Sequence, residues 1–297
     1  MADFVELALN TLETVDMSQL PAVTVVCGAG FGVPFGIPTF HGVDGILQKQ
    51  EMAEKVIARV SENAYVRYRD RDNALICGDV GEDGMKCEIQ FRNILSNDCL
   101  NRLPAFFYSF LGNFFSARLL KETQENVRKN AGASGVYEYL DFLHFLEDYC
   151  KIKHKECRIY TLNIDGVLDA AGIKATKIHG DMGTSRCSVC GGLVGGDPSY
   201  MPRSLFSGTT KEYLDMYRCK HCGGFVRPEI TLMDEKEPEM IMADLRSSVG
   251  QSSCIVTIGV NMRNKIGEKL LSEAKAGEKY LVQIERDGVA VVHEAFK

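Results

Sequence analysis

The sequence predicts an α/β protein: a parallel sheet with helices, carrying a smaller module marked by cysteines. Three observations predict it. Apolar, β-branched runs alternate with segments of helical period, a pattern that builds a parallel sheet. The first run ends in a glycine-rich turn, Gly28-Ala29-Gly30-Phe-Gly32. Two cysteine pairs, Cys187-Ser-Val-Cys190 and Cys219-Lys-His-Cys222, interrupt the pattern late in the chain.

In order, Phe4, Leu7, Ala8, Leu12 and Val15 fall at helical spacing, and Pro21 then introduces the strand Val23-Thr-Val-Val26. A glycine-rich turn at the carboxyl end of a parallel strand is where open α/β sheets bind nucleotide phosphates, although Val33 stands where a dinucleotide fingerprint has its third glycine. An ordinary tight turn fits this segment equally well. Residues 42–115 read as an insertion, partly helical, whose aromatic stretch Phe106-Phe-Tyr-Ser-Phe110 belongs in a core. A helix follows from Val136 to about Tyr149, then strands Arg158-Ile-Tyr-Thr-Leu162, Cys254-Ile-Val-Thr-Ile-Gly259 and Tyr280-Leu-Val-Gln-Ile284. Another helix, from Lys265 to about Ala276, separates the last two.

Each Cys-x-x-Cys turn brings two sulfurs within reach of one ion, and two such turns complete a closed tetrahedral zinc site. Gly191-Gly192 and Gly223-Gly224 permit the backbone of zinc-ribbon knuckles. A redox dithiol, an iron–sulfur cluster or unpaired core thiols are the competing readings. Of 11 cysteines, the seven outside the pairs show no pairing pattern and read as buried, inert thiols.

With 297 residues, 45% hydrophobic and 25% charged, the chain can bury a full core. Its net charge of -6 argues against a nucleic acid as main partner. No basic start with an apolar run marks a secretory signal, and no stretch reaches membrane-spanning length, so an intracellular compartment, cytoplasmic or nuclear, is expected.

Taken together and in order, Gly28-Ala29-Gly30, Gly36-Ile-Pro-Thr-Phe40, Thr161-Leu-Asn163-Ile164-Asp165-Gly166, His179-Gly180, the cysteine frame and Gly259-Val-Asn261 resemble the sirtuin family. The resemblance implies a Rossmann-like NAD-binding domain from residues 1–41, 116–182 and 228–297. It implies a small domain from a helical insertion, 42–115, and a zinc-ribbon module, 183–227, with a cleft for NAD and an acylated lysine. The implied activity is NAD-dependent deacylation of protein lysines, yielding nicotinamide and O-acyl-ADP-ribose. Transfer of ADP-ribose to protein or water, or a catalytically weak NAD-binding scaffold, are the alternatives. By resemblance, Asn163 and Asp165 hold the ribose and the carboxamide, and His179 is the general base. Phe40, His41, Ile164, Gly259, Asn261 and Glu285 join the glycine turn in binding cofactor. A histidine suits a base because its ordinary pKa is about 6.5; alone, without the ordered motifs, it reads as a strand-end residue that caps or satisfies local backbone. Residues 228–235 match the stretch that pairs with an extended substrate as an added strand.

The chain departs from the family where Gly32 replaces serine, His41 arginine and Leu162 glutamine; Asn261 and Glu285 differ as well. Arginine is a permanently charged planar fork, whereas histidine is mostly neutral near pH 7. Slow nicotinamide release, raised by His41→Arg, is therefore expected. Family members that remove acidic acyl groups carry tyrosine and, three residues on, arginine; here Tyr108 meets Leu111. Acetyl or longer apolar acyl groups are expected in preference to succinyl.

Overall fold

The computed structural model describes residues 22–41, 45–58, 60, 62–115, 117–130, 138–203, 209–285 and 290–293. The expected helix around Phe4 to Val15 lies outside them. In chain order the strands are β1 (Ala22–Cys27), β2 (Tyr65–Arg69), β3 (Ala74–Val80), β4 (Lys86–Gln90), β5 (Glu156–Thr161), β6 (Thr176–Lys177), β7 (Gly180–Cys187), β8 (Leu193–Gly195), β9 (Val226–Ile230), β10 (Cys254–Ile258), β11 (Tyr280–Ile284) and β12 (Ala290–His293). The α-helices are α1 (Gln50–Ile57), α2 (Asn97–Arg102), α3 (Pro104–Phe114), α4 (Ala117–Asn130), α5 (Glu138–Ile152), α6 (Val167–Ala170), α7 (Thr210–Asp215), α8 (Glu239–Gln251) and α9 (Lys265–Ala276).

Two compact units emerge. One is drawn from Met1–Ile37, Thr123–His179 and Glu237–Lys297, the other from Pro38–Glu122 and Gly180–Lys236.

The first unit holds a six-stranded sheet in the order β12-β11-β10-β1-β5-β6. Every pairing in it is parallel except β11 with β12. β1 reads as an apolar run broken only by Thr24 because both its faces are covered: Val23, Val25, Val26 and Cys27 are fully buried. Ile255, Val260, Leu270 and Leu281 share a core with Leu245 and Val249 of α8. Within it, Thr24 Oγ1 lies 2.6 Å from both Ser248 Oγ and Ser252 Oγ, which satisfies the buried hydroxyls. Asn264 starts α9 by accepting the amide of Gly267 at 2.7 Å. Strand order reverses at β1, since the chain leaves it for β5 and β6 on one side and returns to β10 on the other. The loops after β1 and β10 therefore flank a topological switch point, the usual ligand crevice of such sheets.

In the second unit the partly helical insertion carries α1, α2 and α3 and, in addition, strands that the sequence did not lead one to expect. Residues 65–90 form an antiparallel meander, β2-β3-β4, before α2 and α3. Its turns use left-handed backbone at Asn73 (φ 50°) and Gly84 (φ 76°). A third sheet, β8-β7-β9, carries the cysteine knuckles. Residues 228–236, expected with the parallel sheet, belong here because β9 pairs with β7. Residues 38–41 and 116–122 also fall in this unit. The aromatic stretch of α3 is core as expected: Phe106, Phe107, Tyr108 and Phe110 are buried.

Candidate functional site

In the first unit the strand ends converge through main-chain bonds. Gly28 N donates to Ile258 O at 2.8 Å, Gly30 N to Gly259 O at 3.0 Å, and Leu162 N to Cys27 O at 2.9 Å. This closeness requires glycine at two positions. A Cβ on Gly28 would lie 2.6 Å from Gly259 O, and one on Gly259 (φ 61°) would lie 2.3 Å from Phe31 N. A seven-residue 3-10 helix, Ala29–Phe35, follows the turn, with Ala29 half-buried and Gly30 buried.

The loop after β5 brings three predicted residues to the same place. Asn163 Nδ2 donates to Gly28 O at 3.0 Å, which ties this loop to the glycine turn. Ile164 is buried. Asp165, also buried, accepts the amide of Val167 at 2.9 Å in an Asx turn that leads into α6. Gly32 is next to it: a Cβ there would stand 3.2 Å from Ile37 Cβ and 3.5 Å from Asp165 Oδ2. The family's serine would be a tight fit at this position.

His179 follows β6, and its Nδ1 lies 3.0 Å from the carbonyl oxygen of Leu162. A carbonyl can only accept, so Nδ1 carries the hydrogen and Nε2 keeps its lone pair in the neutral ring. Burial lowers the pKa of His179, opposed by the bond to Leu162 and by the Glu237 carboxylate. The ring is therefore neutral at pH 7. Sequence reasoning missed this role of Leu162, because the contact is made by its main chain while its side chain packs on the core.

Two further predicted cofactor residues have partners within the first unit. Asn261 accepts the amide of Arg263 at 3.0 Å, and the Glu285 carbonyl accepts from Tyr139 at 3.1 Å. Phe40 and His41 belong to the second unit. There Phe40 stacks on Phe115 with centroids 5.5 Å apart. His41 reaches solvent, yet partial desolvation still lowers its pKa and leaves it uncharged at neutrality.

Cys187, Cys190, Cys219 and Cys222 place their sulfurs within 4.8 Å of one another, with 3.4 Å between Cys187 and Cys222 and 3.9 Å between Cys190 and Cys219. A tetrahedral zinc site with Zn–S of about 2.3 Å needs sulfurs about 3.8 Å apart, so the frame fits zinc. Each knuckle turns on a left-handed glycine, Gly191 (φ 68°) and Gly223 (φ 75°). Amides of Cys222 and His221 hold the Cys219 thiol below its ordinary value, which favours the thiolate a metal requires.

Tyr108 and Leu111 are not available to a substrate. Tyr108 is buried, donates to Val226 O at 2.7 Å and stacks on Tyr217 with centroids 3.8 Å apart; Leu111 is buried beside it on α3.

A sequence model of the Sir2 family matches residues 88–264, more than half of the chain. Among curated proteins, the NAD-dependent protein deacylase 2 of Pseudomonas aeruginosa is 28% identical over 221 residues, 73% of this chain and 62% of that protein. The chain thus spans less than two thirds of that relative. An NAD-dependent protein deacetylase of Listeria monocytogenes is 24% identical over 242 residues, 81% of this chain and 75% of its own length. Among solved structures, Sir2Tm bound to a propionylated peptide superimposes with a TM-score of 0.58 at 16% identity, covering 92% of this chain and 85% of that one. The fold is thus shared, and with the ordered motifs and the match over 88–264 the chain belongs to the Sir2 family.

Proposed function

We propose that the protein is an NAD-dependent protein-lysine deacylase that releases nicotinamide and O-acyl-ADP-ribose. One observation carries the mechanism: the bond from His179 to the Leu162 carbonyl, which leaves Nε2 as a neutral base. NAD, when bound, would supply an activated ribose carbon able to exchange nicotinamide for the acyl group of the substrate lysine, with water completing the release of free lysine.

The residues of this chain hold and deprotonate. The glycine turn, whose Gly28 and Gly30 amides are engaged by Ile258 O and Gly259 O, presents backbone without side chains at the switch point between β1 and β10, where a phosphate can approach closely. Asn163 and Asp165, fixed by their bonds to Gly28 O and Val167 N, hold the ribose and the carboxamide. His179 Nε2 takes the proton of a ribose hydroxyl, and the Leu162 carbonyl stabilises the charge that forms on the ring. Zinc, held by the four cysteines, is structural, since a closed thiolate site leaves no coordination position for substrate.

An extended acyl-lysine segment pairs as an added strand with the stretch 228–235, on the part that runs beyond the end of β9, because the outward carbonyls of Val226, Pro228 and Ile230 already accept from Tyr108 and Arg227. Main-chain pairing reads extension and leaves side-chain sequence free. With Tyr108 and Leu111 both in the core, no tyrosine–arginine pair meets an acidic acyl group there, and acetyl or apolar chains are favoured over succinyl.

The test is to incubate the protein with NAD and a mixed acyl-peptide panel and identify every product by mass spectrometry. Free lysine and O-acyl-ADP-ribose are expected, with succinyl the slowest substrate. His179→Ala should slow turnover by roughly 10²–10⁴-fold. ADP-ribosylated protein or free ADP-ribose as the main product would favour the transferase reading, to which the uncharged His41 lends support. Because the base works in its neutral form and its pKa is lowered, kcat/KM should stay level from neutrality down to about pH 6.5 and fall only below it. A decline that begins above the ordinary histidine range would assign the base elsewhere.

A further inference from the structure

β9 carries a buried cation whose bonds all go to one short stretch of chain. Arg227 is 6% exposed. Its Nη1 donates to the carbonyls of Ile230 at 2.7 Å and Pro228 at 3.3 Å, and its Nη2 to Glu235 Oε1 at 2.5 Å. Glu235 works with both oxygens: Oε1 also accepts Asn97 Nδ2 at 3.0 Å, and Oε2 accepts the amide of Leu232 at 2.9 Å.

The turn beyond the strand is held from its other side as well. Asp234 accepts the amides of Asn97 at 2.9 Å and Asp98 at 3.3 Å at the start of α2, and Met233 N donates to Leu95 O at 2.8 Å. An arginine fork sets its donors in fixed directions, so it fixes angles that a flexible ammonium would not. Burying a charge costs desolvation, and breaking such a pair leaves the other partner uncompensated. An apolar side chain could fill this space. What it could not do is join the last carbonyl of the strand to the carboxylate that shapes the following turn.

We propose that Arg227 is a positioning residue for the substrate: through Ile230 O and Glu235 it holds residues 230–235 on the course along which an acyl-lysine segment pairs. The proposal rests on the reading that this segment pairs with the stretch 228–235. Arg227, nearly enclosed and bonded within 228–235, acts through that stretch. Its effect falls on the binding of peptide and not on the chemistry after binding.

Steady-state kinetics of the full-length, zinc-loaded protein separate these effects. Arg227→Lys keeps the charge and loses the fork; Glu235→Gln keeps the shape and loses the charge. Both should raise the KM for an acetyl-lysine peptide by about tenfold or more, while kcat at saturating peptide and the KM for NAD stay within about twofold. Zinc content and melting temperature report the fold. If Arg227→Lys fails to fold, Glu235→Gln carries the measurement, and loss of fold in both variants would assign the pair to stability and overturn the proposal. So would an unchanged peptide KM, or a fall in kcat alone. A wild-type protein that turns over no acyl-lysine peptide would instead remove the reading beneath it, a result visible before any substitution is made.

Discussion

Around β1 and β10 the first unit is packed mostly with apolar side chains, Val23, Val25, Val26, Val256 and Ile258, all fully buried, with Thr24 and Thr257 the buried hydroxyls of these two strands. Around the knuckles of the second unit the large buried side chains are Tyr108, Tyr213 and Tyr217, and each carries a hydroxyl bonded to backbone. Apolar burial is spread over many contacts and tolerates local change. A metal frame, an aromatic stack and a buried ion pair depend on a few groups each. The difference teaches where each unit is vulnerable: one through backbone fit, the other through the loss of single partners.

The sharpest way to break this contrast is to remove the metal. Structural zinc contributes about 10–16 kcal/mol to the folding of small cysteine modules, so chelation should abolish amide exchange protection in β7 and β9 while β1, β5 and β10 keep theirs. Equal loss in both units would show that they do not differ in this way. Next comes Gly259→Ala, which forces a side chain into left-handed backbone against Phe31 N and should cost about 2–5 kcal/mol, measured by denaturant unfolding. A loss under about 1 kcal/mol would mean the strand ends pack less tightly than the contrast requires. Tyr108→Phe removes one hydroxyl and leaves the ring stack, for an expected cost of about 1 kcal/mol. The smallest effect belongs to Leu162→Gln, which restores the family's side chain without touching the carbonyl; kcat should change by less than about threefold.

The parallel sheet was legible because strands buried on both faces must be apolar and β-branched, as Val23 to Val26 and Cys254 to Ile258 are. Helix α9 was legible to the residue, since Asn264 caps it and Gly277 ends it. The meander β2-β3-β4 was not. Its strands are short and half-exposed, and Tyr65-Val-Arg-Tyr-Arg69 alternates too briefly to outweigh its polar setting; the left-handed turns at Asn73 and Gly84 were the available signal. Of the candidate site, the ordered motifs placed Asn163, Asp165 and His179, and the spacing of the cysteines placed the metal frame. The partners of Tyr108 and Arg227 were hidden, because hydrogen bonds between residues distant in sequence, or to main-chain carbonyls, leave no mark in residue spacing.

The bond between His179 and the carbonyl of Leu162 also bears on inheritance. Every amino acid carries that oxygen, so no codon change at position 162 can delete it. The side chain there can drift through generations while the proposed base stays aimed, whereas the histidine itself has no such freedom. A lineage can therefore carry an unfamiliar residue beside its base without having lost the base's orientation.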